Sequence, residues 1–182
     1  MNKKLTGLVA AVLVSVLALA AAAAGGDAVL ELKDGWFIQS SANLKSGGAE
    51  ISLPGASLAG WYPARVPTTV LAALVESKVY KDIFFADKLR RIPTAAFKGS
   101  WWYRTEFESL AAPGRKRIEI ELDGVNYSAD VWLNGTKIAD ARDVFGACRR
   151  FRFEVDGALL RAGANALAVG VLPPGPGALT LG

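Results

Sequence analysis

LDGVNYSADVWLNGTKI, residues 122–138, contains the strongest β-hairpin pattern in the chain. Between Ala129 and Leu133 apolar and polar residues alternate, which is the period of a strand with one buried face. Asn134-Gly135 follows, and both residues tolerate the positive φ that a tight hairpin turn needs. We therefore expect Thr136 to Ala139 to return antiparallel beside the first strand.

Other runs with a strand pattern lie on both sides of this hairpin. They are residues 28–32, 35–40, 50–53, 97–108, 117–122, 151–155 and 167–171. The run 117–122 (RIEIEL) is expected to join the hairpin in a central antiparallel sheet, because its isoleucines and leucine share one face. Residues 97–108 (FKGSWWYRTEFE) carry aromatic side chains on both faces, so this strand should be covered on both sides or lie at an edge.

The remaining segments predict little helix. Residues 60–67 form a proline-stiffened extended crossing, after which Thr68 or Thr69 can cap a helix of about two turns that begins near Val70. Residues 78–93 follow no sustained period and are predicted to be a long loop. About eight short strands, one short helix and no alternation of strands with helices indicate an all-β fold, a β-sandwich of the jelly-roll kind.

The first 24 residues have the pattern of a secretory signal. Lys3 and Lys4 precede an apolar run, and Ala22-Ala23-Ala24 supplies small residues for cleavage. A retained membrane anchor is the alternative, but the apolar run is short for a bilayer span. We therefore expect a signal peptide at residues 1–24, a β-sandwich domain at 25–182, and a periplasmic or secreted protein with no membrane contact after cleavage.

Composition excludes several classes of function. The chain has 21 Lys and Arg against 17 Asp and Glu, and the signal removes two lysines, which leaves 19 − 17 = +2 and argues against nucleic-acid binding. It has no His, which excludes Ser-His-Asp and Cys-His triads and the common zinc sites. Cys148 is the single cysteine, so no disulfide forms within the chain. Carboxylates are the remaining acid and base groups, and no metal or cofactor is expected.

Several separated motifs together resemble a known family. They are WYPARVPTTVLAALVESKVY, DIFFADKLRRIP, FKGSWWYRTEF, LDGVNYSADVWLNGTKIAD, FRFEV and LRAGANALAVGVLPP. In this order they resemble the N-terminal, galactose-binding-like domain of glycoside hydrolase family 2, closest to its exo-β-D-glucosaminidase and β-mannosidase branch. The resemblance covers residues 35–182.

The resemblance implies a secreted β-glycosidase in which this sandwich precedes an immunoglobulin-like domain and a barrel with two catalytic glutamates. No acidic residue here matches those glutamates, so the chain is expected to be non-catalytic and to lack the last strand or strands of its sandwich. Glu119 and Glu121 share one face of a strand but alternate with buried isoleucine, which predicts a solvated face. The expected partners are a β-linked glycan of glucosamine or mannose and the downstream domains. A free-standing secreted carbohydrate-binding module is the alternative.

Four residues are candidates for contact with substrate or with the barrel: Trp101, Trp102, Asp87 and Arg90. An aromatic plane can stack on the apolar face of a pyranose, and the charged residues lie in the predicted loop. That loop departs from the family pattern, since Ala86-Asp87-Lys88 replaces the usual Gly-Asp-Asn. Phe84, Phe85 and Trp101 are further expected to expose an apolar patch toward the barrel.

Two Asn-X-Ser/Thr sequences fit the pattern for N-glycosylation. They are Asn126-Tyr127-Ser128 and Asn134-Gly135-Thr136. The hairpin requires Asn-Gly for its backbone alone, so no glycan is expected there.

Overall fold

The structure is a computed structural model that describes residues 29–109 and 118–175. Its strands are β1 (Trp36–Ser40), β2 (Tyr62–Ala64), β3 (Trp101–Glu108), β4 (Ile118–Leu122), β5 (Ser128–Leu133), β6 (Thr136–Ala139), β7 (Phe151–Val155) and β8 (Ala164–Leu172). Its helices are α1 (Gly48–Ile51) and α2 (Val70–Glu76), with short 3-10 turns at Ser41–Asn43, Lys88–Arg91, Thr94–Phe97 and Gly157–Leu159. The predicted signal, residues 110–117 and the C-terminal residues 176–182 lie outside the described residues.

The strands form two antiparallel sheets. The larger sheet has six strands in the order β2-β1-β3-β8-β5-β6, and the smaller sheet pairs β4 with β7. The predicted fold class, an all-β sandwich with little helix, is confirmed. The expectation that residues 117–122 join the hairpin was wrong, because β4 pairs only with β7 among the described strands. Alternation of apolar and polar residues indicates that one face of a strand is buried, but it does not indicate which strand is the partner.

The core lies between the sheets. Trp36, Val131 and Val169 of the large sheet meet Phe151 of β7 in one cluster of buried side chains. A second cluster lies under α2, where Ile38 and Trp101 of the large sheet pack against Ala73 and Leu74. The same face of the large sheet is therefore covered at one end by the small sheet and at the other by α2.

The hairpin forms as predicted. Asn134 has a φ of 50° and Gly135 a φ of 91°, and Leu133 pairs with Thr136 across the turn. Ala129, Val131 and Leu133 are fully buried. Hairpin loops of two residues with positive φ match the twist of the strands that they join, which explains the preference for Asn-Gly here.

Helix α2 also begins where the sequence predicts. The Thr69 hydroxyl accepts a hydrogen bond of 3.1 Å from the Ala72 amide and so caps the helix. Ala73 and Leu74 are its buried residues, consistent with one apolar face turned to the sheet.

Two predicted strand segments were wrong, and a third begins later than predicted. Residues 29–32 form no strand, and Val29 is 79% exposed. Residues 50–53 fall at the end of α1, because the Glu50 side chain accepts a hydrogen bond from the Gly47 amide and Gly48 packs directly on the Trp132 ring. The strand predicted from 97 begins only at Trp101, after a 3-10 turn. The strand itself is covered on both faces, as expected, since Arg104 and Thr105 are both buried.

Candidate functional site

The loop between α2 and β3 carries the two most exposed phenylalanines of the described residues. Phe84 is 90% exposed and Phe85 is 69% exposed, and Val79 and Leu89 of the same loop are also exposed. Surface hydrophobic residues scattered singly need no explanation, whereas four of them fall within eleven positions of this one loop. We call residues 79–89 the apolar loop.

The apolar loop is a series of tight turns rather than an irregular tether. Asp82 and Ala86 have φ values of 51° and 53°. The Phe85 amide donates to the Asp82 carbonyl at 2.9 Å, and the Lys88 amide donates to the Phe85 carbonyl at 3.3 Å. Ile83 is buried and anchors the loop to the domain. These turns hold the two phenylalanines outward.

Two charged pairs lie in and next to the apolar loop, and one of them contacts the Phe85 ring. Lys88 Nζ lies 3.3 Å from Asp82 Oδ2 and 5.4 Å from the centre of the Phe85 ring. Arg91 Nε donates to Asp87 Oδ2 at 3.0 Å. Exposed pairs of this kind contribute little stability, so their effect is to fix the direction of each side chain around the patch.

The structure thus places the candidate residue Asp87 within the apolar loop and Arg90 directly after it. The Asp87 carboxylate is held by Arg91, and the exposed Arg90 follows it in a 3-10 turn in which its amide donates to the Asp87 carbonyl at 3.0 Å. A shallow cleft of about 210 Å³ lies next to the loop, lined in part by Tyr80, Ile83 and Ile92. Contact of Asp87 and Arg90 with substrate or barrel stays a prediction.

The two candidate tryptophans have different surroundings. Trp101 is 6% exposed, packs under α2 and donates its ring N–H to the Ala96 carbonyl at 3.0 Å. The expectation that Trp101 contributes to an exposed apolar patch was therefore wrong, because its strand turns it toward the core. Trp102 points to the opposite face of the sheet and is half-buried. Contact of Trp102 with a sugar stays a prediction.

Arg104 is a buried charge that the sequence did not single out. It is 1% exposed, and its guanidinium donates to the Ile51 carbonyl at 2.7 Å, to the Leu53 carbonyl at 2.8 Å and to the Glu106 carboxylate. Glu106 also accepts a hydrogen bond of 2.8 Å from the Gly55 amide. Together these bonds attach α1 and the turn after it to the outer face of the large sheet, the face opposite β4 and β7.

Burial raises the pKa of the Glu106 carboxyl, but other interactions outweigh this effect. The hydrogen bond from Arg104, the hydrogen bond from the Gly55 amide and the charge of Arg104 lower the pKa below its ordinary value. Glu106 therefore stays ionised and supports a structural role. The only sequence signal for this arrangement was an arginine and a glutamate two positions apart on one face of a strand.

Glu119 and Glu121 form a solvated face, as predicted. Arg152 lies 3.8 Å from Glu119 and 3.1 Å from Glu121, and Arg150 lies 3.1 Å from Glu121. All four residues are exposed on the outer side of the small sheet. Within residues 29–109 and 118–175, no group of His, Cys, Asp and Glu is placed to hold a metal ion. In the same residues no helix has the length and apolar character needed to cross a membrane.

Comparison with known proteins identifies what this domain is similar to. Residues 36–176 match the family described as glycosyl hydrolase 2 galactose-binding domain-like. The exo-β-D-glucosaminidase of Streptomyces avermitilis is 40% identical over 149 residues, which cover 81% of this chain and 16% of the relative. The mannosylglycoprotein endo-β-mannosidase of Lilium longiflorum is 30% identical over 150 residues, 79% of this chain and 15% of the relative.

A solved structure agrees in fold. The crystal structure of Amycolatopsis orientalis exo-chitosanase CsxA matches with a TM-score of 0.72 and 36% identity, over 79% of this chain and 16% of that one. Another structure of that enzyme is a complex with PNP-β-D-glucosamine. The chain spans about one sixth of the length of the relatives that it matches.

Proposed function

Since the chain belongs to glycoside hydrolase family 2 through its galactose-binding-like domain, we propose that it is a non-catalytic N-terminal domain of a β-glycosidase that acts on β-linked glucosamine. The observation that carries the proposal is 40% identity to an exo-β-D-glucosaminidase over 149 residues. A β-mannosidase is the second candidate, because the 30% identical relative is an endo-β-mannosidase.

The chemistry of the described carboxylates supports a non-catalytic role. Retaining glycosidases need two carboxylates about 5 Å apart, one as nucleophile and one as acid and base. Each of six described carboxylates binds an arginine or lysine instead: Asp87, Glu106, Glu119, Glu121, Asp130 and Asp140. These six carboxylates are therefore engaged in ion pairs within the domain.

The apolar loop is proposed to dock on the rest of the glycosidase. Phe84 and Phe85 present most of their surface to water, and burying one such ring stabilises a complex by about 1.5 to 3 kcal/mol. The Lys88–Asp82 pair lies beside the Phe85 ring, and an apolar centre with polar groups at its rim is the usual arrangement of an interface.

A chimera tests the proposal. Residues 29–175 of this chain replace the matching segment of the S. avermitilis enzyme, and hydrolysis of an aryl β-glucosaminide is measured. We expect activity within about tenfold of the parent enzyme. Phe84→Ala with Phe85→Ala should lower it, whereas Val29→Ala, at an exposed apolar residue outside the loop, should not. A correctly folded but inactive chimera would argue for a free-standing module.

We also propose that the protein is exported. Support comes from the basic start, apolar run and small residues of the first 24 positions. Expressed in a bacterial host, the protein should be recovered from the periplasm with an N-terminus near Gly25. A full-length N-terminus in the membrane fraction would favour the anchor.

A further inference from the structure

The outer face of the large sheet carries a row of three residues that α1 leaves uncovered. Trp102 of β3 pairs with Gly170 of β8, and Gly170 pairs on its other side with Asp130 of β5. The row crosses two strand spacings, about 10 Å in all. Ser128, two residues before Asp130, lies on the same face and is half-buried. We call Trp102, Gly170, Asp130 and Ser128 the outer strip.

Gly170 determines how the Trp102 ring lies. A Cβ atom at Gly170 would come within 2.9 Å of two atoms of the six-membered ring of Trp102. Only glycine therefore leaves room for the indole to lie across β8, in the direction of Asp130. Trp102 is half-buried, whereas Gly170 beneath it is buried. The indole is thus held in place by its support and still reaches solvent.

The Asp130 carboxylate is also fixed in position. Its Oδ1 accepts a hydrogen bond of 3.0 Å from the Ala141 amide, and its Oδ2 lies 2.9 Å from Lys137 Nζ. The side chain of Asp130 is 31% exposed and that of Lys137 is 40% exposed, so a ligand can reach both. The outer strip therefore places an aromatic ring beside a carboxylate, an ammonium group and a hydroxyl.

Trp132 on the same face does not belong to the outer strip. The backbone of Gly48 at the start of α1 lies against its indole, so that a Cβ there would be 2.3 Å from the ring. Helix α1 covers Trp132, which pairs with Ala168. The row through Trp102 lies two residues away from that pair along β5 and β8. The two tryptophans thus have separate roles, and Trp132 supports the helix.

We propose that the outer strip is a saccharide-binding surface for β-linked glucosamine oligomers. An aromatic ring contacts the apolar face of a pyranose, while the Asp130 carboxylate, already paired with Lys137, accepts hydrogen bonds from sugar hydroxyls and from the amino group of glucosamine. The choice of glucosamine rests on the proposed function. A rigid aromatic ring with a few fixed polar groups is the general composition of a small-ligand site.

Calorimetric titration of the full chain with a glucosamine tetramer tests the inference. Trp102→Ala should weaken binding about tenfold, and Asp130→Asn should also weaken it. The matched control is Trp61→Ala, at a half-buried tryptophan outside the strip, which should leave binding unchanged. Thermal melts verify folding, and Trp102→Leu, which keeps an apolar side chain but no ring, replaces the alanine variant if that variant fails to fold.

The inference is overturned if the wild-type chain does not bind the tetramer, or if the Trp102 variants bind as tightly as the wild type. Equal binding of an N-acetylglucosamine tetramer would overturn the choice of glucosamine as the ligand. None of these results would affect the chimera, whose activity depends on a barrel and on the apolar loop. An inactive chimera combined with tight binding by the chain alone would reject the glycosidase proposal and keep the strip.

Discussion

Arg104 is the residue on which the outer face of the large sheet most depends. It is 1% exposed, and two of its three acceptors are carbonyl groups of residues 51 and 53. A buried charge is tolerated only when it is fully paired, because removing its partners leaves an uncompensated desolvation cost. The sequence showed an Arg and a Glu on one face of a strand, but the carbonyls lie about fifty positions earlier in the chain, where no local pattern predicts them.

We predict that Arg104→Met lowers the free energy of unfolding by about 3 kcal/mol, because it leaves two carbonyls and the Glu106 carboxylate without their donor. Denaturation in urea measures the change. Arg65→Met is the matched control, since Arg65 pairs with Asp34 but is largely exposed, and it should change stability by less than about 0.5 kcal/mol. Equal effects of the two variants would contradict the structural role of Arg104.

Glu106 should make stability depend on pH. Burial raises its pKa, but Arg104 and the Gly55 amide lower it more, so the unfolded chain binds the proton more tightly than the folded chain. The contribution of Glu106 is therefore fully present above the ordinary pKa of a glutamate and is lost as pH falls through the lowered folded pKa. The slope of unfolding free energy against pH in this acid range should be smaller in Glu106→Gln. An unchanged slope would contradict the pairing.

At the scale of elements, the hairpin and α2 could be predicted because their signals are local. The Asn-Gly turn and the Thr69 cap each act within four residues. Helix α1 was missed, because one of its two supports, the packing of Gly48 on Trp132, involves a residue far along the chain. The pairing of β4 in the small sheet was also not predictable from local sequence, because its partner strand β7 begins about thirty residues later, at Phe151.

The hairpin also uses the Asn134 side chain, beyond the backbone reason inferred from the sequence. Its Nδ2 donates to the Leu159 carbonyl and to Asn165 Oδ1, each at 2.7 Å, and its Oδ1 accepts from the Ala166 amide at 2.9 Å. We predict that Asn134→Gly, which keeps the turn, lowers the free energy of unfolding by about 2 kcal/mol. Thermal or chemical denaturation measures this change. If Asn134→Gly leaves the stability unchanged, the backbone conformation of the turn alone would explain the asparagine.

At the scale of the whole molecule, the sandwich is covered unevenly. The inner face of the large sheet is covered by the small sheet and by α2, and part of the outer face by α1. The apolar loop and the outer strip remain accessible. The sequence correctly predicted that Phe84 and Phe85 are exposed. It wrongly predicted an exposed Trp101, because β3 carries aromatic residues on both faces and the pattern does not show which face is buried.

We predict that the chain binds a hydrophobic dye and self-associates through the apolar loop. Phe84→Ser with Phe85→Ser should reduce both effects without changing the melting temperature, because neither ring contributes to the core. Dye fluorescence and light scattering measure the two effects. Val29→Ser with Leu30→Ser is the matched control, and a larger decrease there would place the patch outside the loop.

The proposal that the chain is a domain of a β-glycosidase can be tested by complementation. The chain is mixed with the S. avermitilis exo-β-D-glucosaminidase from which the matching segment has been removed, and turnover of an aryl β-glucosaminide is followed. We expect background rates from each piece alone and activity well above background from the mixture. Turnover by this chain alone, or a folded mixture with no gain in rate, would contradict its assignment as a non-catalytic domain of such an enzyme.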